Sequence, residues 1–135
     1  MNIRNTFLAL ICVFLFLACE SKNVQLKEEV IAIHDEVMPH MGKLQSLQKD
    51  LIQRAAQLES EDSLGQADHI HVLRNTAAEL DLAYEGMFVW MRQFEPDQGN
   101  MTEDEFYNYL QEQKGLVEQV KQDINGSLEK AENLN

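Results

Sequence analysis

Cysteine is nearly absent from this 135-residue chain, with Cys12 and Cys19 the only two. Everything beyond residue 19 lacks a thiol for a disulfide, a zinc–thiolate centre or a cysteine nucleophile. Basic side chains are scarce as well, 11 Lys and Arg against 23 Asp and Glu, which leaves a formal charge of −12. A surface of that sign is repelled by phosphate backbones and argues against nucleic acid as a partner. Proline occurs twice and glycine six times, and no Gly-rich phosphate loop is formed. No segment alternates apolar and polar residues as a strand does. Neither a Ser/His/Asp set nor paired buried carboxylates can be read from the chain, so nothing in it supports catalysis and it reads as a non-enzyme.

A long hydrophobic run is missing too. Phe7 to Ala18 is apolar throughout, but as a helix it rises only about 18 Å, short of the roughly 30 Å hydrocarbon core. Arg4 before it and Leu17-Ala18-Cys19 at its end make an export signal the natural reading. The Cys directly after Ala18 resembles the lipobox of bacterial lipoproteins, where that cysteine is lipidated and becomes the mature N-terminus. Phe16 and Leu17 are bulkier than the residues usual at the first two lipobox positions. The resemblance implies a signal peptide over residues 1–18, a lipidated (palmitate-type) Cys19, and a short tether over 19–23. Two acyl chains or more, each methylene contributing about 0.8 kcal/mol, anchor a protein stably to a membrane. The signal holds Arg4 and no acid, so the remainder is one charge more negative than the whole chain. The body itself would be repelled by an anionic bilayer, and the lipid alone would hold it there.

From residue 24 onward, steps of three and four dominate. Leu26, Val30, Ile33, Val37, His40, Leu44, Leu47, Leu51 and Leu58 form one stripe, broken at Arg54. Ile70, Leu73, Ala77, Leu80, Tyr84, Met87, Met91 and Phe94 form a second, and Phe106 through Leu110, Gln113, Val117, Val120, Ile124 and Ser127 to Ala131 a third. Polar residues 59–66 and the Pro96–Asn100 turn separate the stripes. Thr102 with Glu105 is a capping box. The spacing predicts an all-α domain over 24–135, an up-down-up antiparallel three-helix bundle with coiled-coil-like packing. Its helices fall at about 24–59, 64–95 and 102–133. A bundle this slim leaves room for a homo-oligomer or an envelope partner.

The segment IHDEVMPHM, residues 33–41, is the least ordinary part. Pro39 removes a helical donor and clashes with the carbonyl of Asp35, and Gly42 follows, so a kink is expected here. His34, Met38 and Met41 share one helix face. Antiparallel pairing sets His34 opposite about residue 89, which brings Met87, Met91 and Trp90 to the same level. The same alignment carries Tyr107 and Tyr109 there from the third helix. Such a layer packs a core in the ordinary case. Thioether sulfur with imidazole also suits Cu(I) or, less readily, haem iron, with His34, Met38, Met41, Met87 and Met91 as the ligands.

EEVIAIHDEVMPHMGKL and GMFVWMRQF behind a lipobox resemble a group of small bacterial lipoproteins of unknown function, some labelled viral A-type inclusion protein homologues. The likeness covers most of the chain after the signal. It implies a helical, lipid-anchored protein of the bacterial envelope, periplasmic or surface-facing, and carries over no activity or ligand. Position 40 departs from the pattern, with His40 where Lys is expected, which favours His34 over His40 as a ligand. The resulting expectation is a non-enzymatic binding or structural module. A soft-metal protein and an envelope chaperone or scaffold are its alternatives.

Overall fold

The structure, a computed structural model, describes residues 21–62 and 64–134. The expected signal peptide and Cys19 lie outside the described residues. The fold is all-helical: one long joined helix and two more, packed against each other, with no strand among the described residues. The joined helix consists of α1 (Lys22–Val37), a 3-10 turn (Met38–His40) and α2 (Met41–Asp62). It is followed by α3 (Ala67–Gln93) and α4 (Glu103–Glu132).

Each boundary has a local cause. Ser21 caps α1, its hydroxyl accepting from the Val24 amide. α3 stops at Gln93 because Phe94 turns to extended backbone (φ −74°, ψ 121°) shortly before Pro96. Gly99, at φ 56°, carries the turn that follows, a conformation that disfavours other residues. The expected capping box opens α4. Thr102 Oγ1 accepts from the Glu105 amide, and Glu105 Oε2 accepts from the Thr102 amide at 2.8 Å and its hydroxyl at 2.9 Å. Those bonds hold the Glu105 carboxyl below its usual range, the Thr102 backbone first and its side chain second. A depressed carboxyl stabilises the fold above its unfolded pKa, and the effect is lost as pH falls through the folded one.

The expected break is present but shorter than its sequence suggests. Proline 39 has no N–H to offer the Asp35 carbonyl, and the chain tightens into three residues of 3-10 helix before regular α-helix resumes at Met41. Gly42 is not part of the break. It sits in α2 with open space where a Cβ would stand. Gly42→Ala is therefore expected to raise the unfolding free energy by about 0.5–1 kcal/mol, read from urea denaturation.

The core runs the length of the three helices. Val30, Val37, Leu44, Leu51, Leu73, Leu80, Met87, Leu110, Val117 and Ile124 are fully enclosed. A smaller cluster of Leu26, Phe106 and Leu110 closes one end. Two expected seam positions are corrected. His40 is exposed and Met41 takes its place, because an apolar side chain at the four-residue step from Val37 is available where imidazole would have to be desolvated. Met91 is exposed and Trp90 is buried instead, the larger ring removing more apolar surface from water. Tyr84, like Ile33, Leu47, Leu58, Phe94 and Val120, is half-buried and packs against the core.

Polar contacts mark the register. Lys114 bonds Glu29 at 2.7 Å and Lys121 bonds Glu36 at 2.6 Å, joining α4 to α1. Lys43 pairs with Glu132. Gln48 donates to Asp81 at 2.8 Å and Arg74 to Glu59 at 2.5 Å, joining α2 to α3. Lys130 pairs with Glu79 at 2.6 Å across α3 and α4. Exposed pairs of this kind contribute about 0–1 kcal/mol each, so the stability resides in the apolar seams.

Candidate functional site

The two runs IHDEVMPHM and GMFVWMRQF meet where α1 crosses the C-terminal end of α3. His34, half-buried, lies with its ring against Trp90, centroids 5.8 Å apart. Trp90 stacks on Phe94 at 4.9 Å, Phe94 on Tyr109 at 6.4 Å, and Tyr109 on Phe106 at 6.2 Å. Four aromatic rings and one imidazole thus form a continuous ladder across all three helices. The ladder is tied to the segment after α3 by the Tyr109 hydroxyl, which accepts from the Glu95 amide at 2.7 Å. Offset ring pairs of this sort contribute about 0.5–1.5 kcal/mol beyond their burial.

An open groove of about 340 Å³ runs beside the ladder, lined by Ile31, His34, Asp35, Trp90, Met91, Phe94 and Pro96. His34 is oriented in it by its neighbour in sequence, with Nδ1 2.8 Å from Asp35 Oδ1. An ionised carboxylate only accepts, so at this contact Nδ1 is the donor, and in the neutral imidazole Nε2 is then the nitrogen with the lone pair. Met91, 39% exposed, lines the same groove.

The five expected soft ligands therefore divide. His34 and Met91 share the groove. Met41 and Met87 are buried in the apolar core, and Met38 packs against its edge. Tyr109 reaches this level opposite Phe94, whereas Tyr107 lies on an exposed face, bonded by Gln111 at 3.3 Å. Asp35 escaped the sequence reading as a site residue, although its place directly beside His34 was a usable signal. Ile31 and Pro96 carried none.

Elsewhere the surface is less organised for chemistry. His69 and His71 are exposed near the start of α3, and Asn75 lies 3.1 Å from His71 Nδ1. Among the described residues no group of three or more His, Cys, Asp or Glu converges as a metal site. Lys114 is held above its usual pKa, chiefly by its hydrogen bond to Glu29. A second shallow groove of about 420 Å³ lies between α3 and α4, beside Leu82 and Gly126. Among the described residues no helix is long and apolar enough to cross a membrane. Compared with family models, with curated proteins and with solved structures, the chain finds no match in any of the three.

Proposed function

We propose that the protein is a lipid-anchored, non-enzymatic helical module of the bacterial envelope, tethered through Cys19. The observation that carries this reading is the Phe7–Ala18 apolar run ending in Leu17-Ala18-Cys19, two residues before the first capped helix at Ser21. Its three helices run up, down and up, with antiparallel neighbours and coiled-coil-like seams. In support, the Glu29–Lys114 and Glu36–Lys121 pairs keep one constant offset, as parallel helices do. Gln48–Asp81 and Glu59–Arg74 instead advance in opposite directions along their helices. The exposed Val72, Leu82 and Val89 of α3 supply apolar surface for a structural or partner-holding role.

The test is lipid labelling. Expressed as the full chain in a bacterium fed a tagged palmitate, the wild type is expected to take up label and sediment with membranes. Cys19→Ala is expected to lose the label and at least about nine-tenths of the membrane fraction, since one signal is then missing altogether. An unlabelled wild type, or a labelled Cys19→Ala variant, contradicts the reading.

A further inference from the structure

We propose that the groove between α1 and the end of α3 is a binding site for a single Cu(I) ion, held by His34 Nε2 and the Met91 thioether. It does not depend on the anchor, because both ligands and their supports belong to the helical body. Three features of the groove converge on this chemistry.

The first is the donor set. Imidazole nitrogen and thioether sulfur are soft or borderline donors, the combination that prefers Cu(I) over hard, oxygen-seeking cations. Both line the same groove.

The second is the orientation of the imidazole. Metal-binding histidines usually donate their second ring N–H to a carboxylate, which fixes the tautomer and raises the basicity of the ligating nitrogen. Asp35 supplies that contact at 2.8 Å from Nδ1, and Trp90, packed against the ring at 5.8 Å, limits its rotation. Asp35 is thus a positioning residue and His34 a ligand.

The third is the placement of the methionines. Met41 and Met87 lie in the core, 6% and 0% exposed, whereas Met91 stands open to the groove. With the seam position taken by Trp90, Met91 is left partly exposed on the wall of the groove rather than in the core. The apolar remainder of the wall, Ile31, Phe94 and Pro96, lowers the local polarity and favours a monovalent soft ion over a strongly hydrated one.

The site is tested on the full chain purified in detergent and titrated anaerobically with Cu(I) against a competing chelator. Chelator absorbance reports the affinity, and the emission of Trp90, the single tryptophan of the chain, reports the location. One equivalent is expected to bind with a dissociation constant below about 1 μM, quenching Trp90 as it does so. His34→Gln and Met91→Leu are each expected to weaken binding at least about tenfold, and Asp35→Asn by about tenfold with recovery in Asp35→Glu. Met41→Leu and Met87→Leu are expected to leave it unchanged. A thermal melt followed by circular dichroism identifies any variant that has lost its fold; His34→Ala and Met91→Ile then stand in for those ligand changes. Affinity no tighter than micromolar in the wild type, or equal losses from the two core-methionine variants, overturns the assignment.

Discussion

Replacing Trp90 by alanine is expected to lower the unfolding free energy by about 3–5 kcal/mol, the range for deleting a large buried aromatic side chain. Trp90 is 6% exposed and stands second in the ladder, in contact with His34 on one side and Phe94 on the other. Its removal leaves a cavity and separates α1 from the end of α3. For a domain whose total stability is on the order of 5–15 kcal/mol, the loss is a large fraction. The phenylalanine variant should behave quite differently. The indole Nε1 is buried without a hydrogen-bond partner among the described residues, and an unpaired buried donor costs about 1–3 kcal/mol. Trp90→Phe keeps ring contacts and deletes that donor, so its stability is expected within about 1 kcal/mol of the wild type. Urea denaturation of both variants checks the pair. Equal, large losses in the two would show that the indole N–H is bonded in solution.

Leu80→Ala is expected to cost about 2–5 kcal/mol, while Leu82→Ala stays within about 0.5 kcal/mol of the wild type. The two leucines stand two positions apart on α3, a separation that turns them to opposite sides of a helix. Leu80 is fully enclosed and Leu82 is 72% exposed. A cavity at Leu80 opens in the middle of the seam that joins α3 to its neighbours, where little can collapse into it. A comparable loss at Leu82 would mean that this surface is covered in solution, as a second copy or a partner would cover it.

The contrast between these residues also shows what could be read in advance. Helix number, order and most of the core followed from spacing, because Leu, Val and Ile recur with a period that only a helix satisfies. The third stripe was the most legible: Phe106, Leu110, Gln113, Val117, Ile124, Ser127 and Ala131 are all buried as their steps imply, and Val120 is half-buried against the core. Ambiguity arose where two apolar residues stood side by side. Met91 and Trp90 both fit a helical seam, and only the packed structure decides that the ring goes in and the thioether stays out. The same holds at His40 and Met41, where the 3-10 turn forced by Pro39 separates α1 from α2. Pairing arithmetic set His34 opposite about residue 89, and the structure has it against Trp90. On the third helix the alignment was less successful. Tyr109 meets Phe94 rather than the middle of the expected layer. Pro96 and Ile31 enter the groove from a loop and from a face that the spacing marks as solvent, and no one-dimensional pattern signals such a meeting.

The intact mass of the protein isolated from bacterial membranes tests the central claim most directly. The account predicts a chain that begins at Cys19 and carries added acyl mass on that residue, with Cys19→Ala abolishing the acylated species. A mass matching the unprocessed chain from Met1, or a mature chain bearing no acyl group, would contradict it.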